Sequence, residues 1–169
     1  RPLALAMIDV DNFKTVNDTL GHTVGDQVLQ AIASILVGAA RTSDIVARFA
    51  GDEFVMIFPA VDEQVAGAVA ERVVASVQRI NAQLGLGREA SIGLSIGVAF
   101  TESCKRNVAQ LIAIADAAMY DAKEAGKSRV MAVNADTLTT RSYWGAEPAN
   151  AASSHGDRNR RGQATRSTG

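Results

Sequence analysis

Near the middle of the chain two short apolar segments, residues 45–49 and 54–58, are separated by Ala50-Gly51-Asp52-Glu53. Apolar runs of that length around a glycine and two carboxylates read as the arms and tip of a β-hairpin. A hairpin commits the chain to an antiparallel pair of strands whose apolar faces must be covered by other elements. Those elements can be located. Residues 3–8 form a strand apolar on both faces, and residues 24–40 a helix with Val28, Leu29, Ile32, Ile35 and Leu36 along one stripe. A second helix opens at Asp62, a good N-cap, and carries Val65, Val69, Val73, Val77 and Ile80 before the Gly85-Leu86-Gly87 break. Residues 92–100 read as a strand interrupted by Gly93 and Gly97. A third helix from Asn107 places Val108, Leu111, Ile112, Ala115 and Met119 on one face and stops at Gly126, and residues 129–133 close the sheet. The order β-α-β-β-α-β-α-β predicts an α+β sandwich: a central, mostly antiparallel sheet flanked by helices.

Of the 169 residues 47% are hydrophobic and 21% charged, with a net charge of −1, which suits one globular domain with a real core. So balanced a charge gives no footprint for polymeric nucleic acid, and a small phosphorylated ligand would need a few placed cations and a metal. A single cysteine, Cys104, leaves no disulfide framework, and no apolar run reaches membrane-spanning length; both suit the cytoplasm and no membrane contact. Arg1 leads at once into an apolar strand without an initiator methionine or targeting segment, so the chain reads as an excised piece lacking the N-terminal part of its domain. Beyond Asn134 the composition turns to Thr, Ser, Ala, Gly, Asn and Arg. The expected organisation is a folded functional domain over 1–134 and a disordered polar tail over 135–169, with Arg158, Arg160 and Arg161 a solvated cluster.

Chemistry-bearing residues gather at two points. Asp9 and Asp11 fall where the first strand runs out, and Asp52 and Glu53 occupy the hairpin tip. Either pair alone is an ordinary turn feature. Four carboxylates at adjacent strand ends would repel unless a hard cation neutralised them, and Mg²⁺ is the natural occupant, with Mn²⁺ as a substitute.

The blocks Asp9-Val10-Asp11-Asn12-Phe13-Lys14, Asn17-Asp18, Gly21-His22 and Gly25-Asp26 are followed by Arg48-Phe49-Ala50-Gly51-Asp52-Glu53-Phe54, Ser95-Ile96-Gly97-Val98, Ala118-Met119-Tyr120 and Ala122-Lys123. In this order, from about Leu3 to Val133, the chain resembles the GGDEF family of diguanylate cyclases, with an alanine in the first position of the signature. The resemblance implies a nucleotidyl-cyclase or polymerase-palm-like fold with an active-site β-hairpin. It also implies condensation of two GTP into cyclic di-GMP and two pyrophosphates. Asp9, Asp52 and the Val10 carbonyl would ligate the metal. Asp52, beside Glu53, would accept the proton of the attacking 3′-hydroxyl, and Lys14 would stabilise developing charge. Asn12, Phe13, Lys123 and Lys127 would hold phosphates, Lys127 standing where the family usually has arginine. Asn17 and Asp26 would read the guanine edge, and His22 would contact the ribose or another part of the substrate. Since one site holds one GTP, a homodimer is implied for catalysis, with a sensor or dimerisation module upstream in the parent protein. Arg41, Asp44 and Arg72 resemble the family's RxxD site for inhibition by cyclic di-GMP.

Each assignment has a plainer counterpart. His22 could simply start a helix, Asn17-Asp18 mark a turn, Lys123 and Lys127 complement a helix C-terminus, and Arg41 and Asp44 form a surface ion pair. Ala50 would strain the hairpin if its position demanded positive φ. The competing functional classes are a degenerate domain acting as a GTP or cyclic di-GMP receptor, and a purely structural dimerisation module.

Overall fold

The computed structural model describes residues 1–103 and 105–144. Cys104 and the basic cluster of the expected tail lie outside the described residues.

The first strand, β1 (Leu3–Asp11), lies within a six-stranded sheet. It pairs antiparallel with β3 (Glu53–Pro59) on one side, from Leu3 opposite Pro59 to Asp9 opposite Glu53. On the other side it pairs antiparallel with β4 (Gly93–Thr101), from Leu3 opposite Thr101 to Asp11 opposite Gly93. The second hairpin arm, β2 (Ile45–Ala50), forms one edge. Next to β4, β5 (Arg129–Asn134) runs parallel, and β6 (Thr139–Trp144) pairs antiparallel with β5 at the far edge. The spatial order is β2-β3-β1-β4-β5-β6.

Both faces of this sheet are covered, which explains why β1 and β4 are apolar on both. Ala4, Ala6, Ile8 and Val10 join Phe54, Met56, Leu94, Ile96 and Val98 under three helices: α1 (Phe13–Leu20), α2 (His22–Ala39) and α3 (Glu63–Gln83). On the opposite face Leu5 and Met7 meet Leu111, Ala115 and Met119 of α4 (Val108–Glu124). Of the expected α2 stripe, Val28, Leu29, Ile32 and Leu36 are buried; on α3, Val73, Val77 and Ile80 are. The Asp62 cap forms as expected, accepting from the Val65 amide, and the structure adds a reciprocal capping box between Asn107 and Gln110 at the start of α4. Buried Asn81 ties the end of α3 to the entry of β4 through both the amide and the carbonyl of Ile92.

Three expectations need correction. The helix expected at 24–40 starts at His22, and a separate helix, α1, precedes it. Its residues Thr15, Asn17, Asp18 and Thr19 are weak helix formers, so the segment reads as loop; burial of Val16 against the core supplies what propensity lacks. Secondly, β5 does not close the sheet. Thirdly, the ordered chain continues past residue 134 into β6, so the polar tail cannot begin at 135. An edge strand rich in Thr and aromatics needs ladder hydrogen bonds more than buried area, which composition does not register.

The turn into β6 is organised around Asp136. Its carboxylate accepts from the hydroxyls of Thr101 and Ser103 and from the amides of Glu102 and Ser103. The Ser103 hydroxyl and the Glu102 amide hold its carboxyl well down, at about 2 against an ordinary 3.8. A depressed carboxyl contributes to folding fully above its ordinary pKa and loses that contribution as pH falls towards 2. The protection factors of the Glu102 and Ser103 amides, intrinsic over observed exchange rate at each pH, are therefore expected to hold at pH 5 and to fall between pH 4 and 2. Loss of protection already near neutral pH would contradict this.

Candidate active site

The C-terminal end of β1 and the tip of the β2–β3 hairpin meet by strand pairing. Asp9 lies opposite Glu53, and the Val10 amide donates to the Asp52 carbonyl at 3.3 Å. Gly51 takes the left-handed conformation at the tip, φ 50, while Ala50 needs no positive φ, so the alanine variant of the signature strains nothing. Arg48 also holds the tip, donating from Nε to the Gly51 carbonyl at 2.7 Å. That role was not legible in the sequence, where Arg48 is merely a cation in a strand.

From the other side α4 brings Lys123 to Asp9, 2.9 Å from Nζ to Oδ2. Burial would lower the Lys123 ammonium, but its hydrogen bond to Asp9 and the charges of Asp9, Glu53 and Asp11 outweigh this and raise it. Lys123 is therefore firmly cationic. Burial raises the carboxyls of Asp52 and Glu53 above their ordinary values, and the negative charge of Asp9 adds to both. Among the described residues this cluster of acids thus carries more carboxylate than Lys123 alone balances.

Among the described residues no three His, Cys, Asp or Glu side chains converge as a metal cage. A cation between Asp9 and Asp52 would complete its shell with backbone, phosphate or water oxygens. An all-oxygen set with few protein carboxylates fits Mg²⁺, which keeps several waters and is usually shared with a phosphate. Val10 follows Asp9 in sequence and pairs with Asp52 through its amide, which would place its carbonyl within the same donor set.

Asp11, expected among the metal-facing acids, has different partners. It is buried at 3% exposure and accepts from the Ser95 hydroxyl and the Ser128 amide. Asn12, in the left-handed region at φ 63, accepts from Lys127 Nζ at 3.2 Å and leads into α1. Phe13 and Lys14 form the first turn of that helix, with Lys14 exposed. The Asn17 side chain lies over Gly25, where a Cβ would collide with its Oδ1, and the Phe13 ring approaches the same point. His22 is exposed at the start of α2.

Asp26 lines a cavity of about 340 Å³ between α2 and the hairpin with Leu29, Val46, Arg48 and Phe54. The remaining candidates lie at the other end of α2. There the Arg41 amide donates to Asp44 Oδ2 at 2.7 Å and the Asp44 amide donates back to the Arg41 carbonyl. The tie between Arg41 and Asp44 is therefore a backbone turn and not an ion pair. Arg72 lines a cleft between α2 and α3 with Gly38, Ala39, Ser76 and Arg79. Among the described residues no helix is long and apolar enough to cross a membrane.

Comparison with known proteins bears on this geometry. The family model described as "Diguanylate cyclase, GGDEF domain" matches residues 1–129. The chain is 37% identical over 129 residues to diguanylate cyclase DosC of Escherichia coli strain K12, covering 76% of this chain and 28% of that protein. It is 36% identical over 128 residues to diguanylate cyclase A of Treponema denticola, covering 76% and 34% respectively. It therefore spans about a third or less of either relative's length. The crystal structure of the GGDEF domain of DgcB from Caulobacter crescentus, in complex with c-di-GMP, superposes with a TM-score of 0.69 at 32% identity. That match covers 80% of this chain and 78% of the DgcB domain.

Proposed function

Because the chain belongs to the GGDEF family of diguanylate cyclase domains, we propose that it condenses two molecules of GTP into cyclic di-GMP, releasing two pyrophosphates. The observation that carries this reading is the convergence of Asp9, Asp52 and Glu53 at paired strand ends with Lys123 held on Asp9. Mg²⁺ bound by Asp9, Asp52 and the Val10 carbonyl would neutralise charge on the attacking and transferring oxygens.

The residues themselves supply the rest. Asp52, beside Glu53, accepts the proton of the 3′-hydroxyl as that oxygen attacks the α-phosphorus of the second GTP. Lys123 and Lys127, with the amides of Asn12 and Phe13, bind the triphosphate, and Lys14 stabilises charge that develops as pyrophosphate leaves. Asn17 and Asp26 select guanine, since a carboxylate pairs with the N1–H and N2–H₂ donors that adenine lacks. His22 contacts the ribose. The product contains two nucleotides and each site holds one, so two copies of the domain face each other in an antiparallel homodimer. The reaction belongs in the cytoplasm, where GTP and Mg²⁺ are abundant, with any sensor module elsewhere in the parent protein.

With Mg²⁺ present, GTP but not ATP is expected to yield cyclic di-GMP and pyrophosphate in a one-to-two ratio, and chelation is expected to stop the reaction. GTP bound without turnover would instead favour a receptor.

Feedback belongs to the same proposal. Arg41 and Arg72 clamp the product's phosphates, and Asp44 meets a guanine edge. Replacing Arg41 with alanine is expected to raise the cyclic di-GMP concentration for half-inhibition by about tenfold or more, the loss of one charge-assisted contact. Unchanged inhibition in progress curves would remove this site from the account.

A further inference from the structure

We propose that Asp11 is a positioning residue: its buried carboxylate latches the turn between α4 and β5 onto the end of β1 and thereby holds Lys127 over Asn12. The inference rests on the reading of residues 9–14 and 123–127 as the triphosphate site.

Both oxygens of Asp11 are engaged within the protein. Oδ1 accepts from the Ser95 hydroxyl at 2.7 Å and Oδ2 from the Ser128 amide at 2.9 Å. The side chain is almost wholly buried, so this carboxylate is satisfied internally and turned towards the fold. Space for it comes from Gly93, its cross-strand neighbour in β4. A Cβ at Gly93 would collide with the Ser128 hydroxyl and stand 2.9 Å from Asp11 Oδ2. The site is therefore shaped for this carboxylate and this turn together.

The turn needs such a hold. Gly126, Lys127 and Ser128 have φ values of 112, 64 and 49. Two consecutive non-glycine residues in the left-handed region are intrinsically disfavoured and persist only where surrounding contacts impose them. Adjacent residues of β1 and the following cap supply two of these contacts. Asp11 takes the Ser128 amide, and Asn12 takes Lys127 Nζ at 3.2 Å. Asn12 is itself fixed through its amide nitrogen to the Ser91 carbonyl. Lys127 is exposed and rests on a neutral amide, so its charge remains available to a phosphate. If the Asp11 latch were lost, the turn could relax towards negative φ, and the ammonium would leave its place beside Asn12.

The test is a double-mutant cycle on the full chain, preceded by measuring GTP binding and turnover by the wild type. Failure of either would count against the functional reading before any variant is compared, and where GTP binds without turnover its Kd replaces KM. Asp11→Ala is expected to raise KM for GTP by about tenfold while kcat changes by less than about threefold, the pattern of lost ground-state positioning. Asp11→Asn is expected to recover most of that loss, because an amide can accept from the Ser128 amide and donate to the Ser95 hydroxyl. The combined Asp11→Ala/Lys127→Ala protein is expected to be no worse than Lys127→Ala alone, because Asp11 acts through that turn. An Asn variant as impaired as the alanine variant, a fall in kcat at unchanged KM, or additive effects would each overturn the proposal. Should Asp11→Ala not fold, hydrogen exchange decides. The Ser128 amide must be protected in the wild type and in Asp11→Asn, and exchange at a free-loop rate would overturn the latch.

Discussion

Replacing Asp52 with alanine is expected to reduce the rate of cyclic di-GMP formation by on the order of 10³-fold or more, since it would remove the proposed general base and a proposed metal carboxylate at once. The same substitution is expected to leave folding stability unchanged or slightly improved. Burial and the charge of Asp9 both raise the Asp52 carboxyl above its ordinary value. In the metal-free protein its ionised form is therefore a net cost, and removing it relieves repulsion. Asp9 differs, because its alanine variant would also leave Lys123 without its 2.9 Å partner. A chemical denaturation curve and a rate on the same preparation separate the two effects. An Asp52→Ala protein that retains more than about a tenth of wild-type turnover would exclude the assigned base role, given the usual contribution of such groups.

The largest effect on the fold is expected at Gly97. A Cβ there would run into the Ala115 carbonyl and the Met119 amide, with the Ala118 carbonyl carbon at 2.9 Å. All three atoms belong to the backbone of α4, so no side chain can rotate away and the helix must move off the sheet. Gly97→Ala is expected to cost about 3 kcal/mol or more, the upper range for overpacking a close backbone contact. Whatever remains folded should also lose activity, because α4 carries Lys123 one turn beyond Met119. Gly38→Ala is the matched control. Nothing lies within 4 Å of its Cβ position in α2, so the alanine should stabilise by up to about 1 kcal/mol through helix propensity. Equal denaturation midpoints for the two variants would contradict the packing account.

These cases indicate where sequence is informative. The hairpin, the Asp62 cap, the start of α4 and most of the apolar stripes of α2, α3 and α4 were legible because each follows from local chemistry and a repeat of fixed period, although Val108, assigned to the α4 stripe, is exposed. The pairing of β1 between β3 and β4, which brings Asp9 opposite Glu53, involves residues far apart in the chain and has no local signature. Gly93 and Gly97 read as interruptions of a strand, yet β4 begins at Gly93 and runs unbroken through Gly97. A missing side chain does not reveal what occupies its place, here the Ser128 hydroxyl in one case and the α4 backbone in the other.

The acids illustrate the same limit. Asp9 and Asp11 are equivalent in sequence, two residues apart at a strand end, and both were candidates to face a cation. Their partners separate them: a lysine and a neighbouring glutamate for one, a serine hydroxyl and a backbone amide for the other. Similarly, α1 and β6 were not visible because tertiary packing and ladder hydrogen bonds hold segments of unremarkable composition. The resemblance reached the family whose model matches residues 1–129, but it could not say which side chains turn outward and which turn inward.

The most direct test of the central claim is to incubate the chain with GTP and Mg²⁺ across a series of protein concentrations and quantify cyclic di-GMP. If Asp9 and Asp52 form half of a two-copy active site, product accumulates and specific activity rises with protein concentration towards a plateau. No cyclic di-GMP at any concentration, with GTP nonetheless bound, would contradict it.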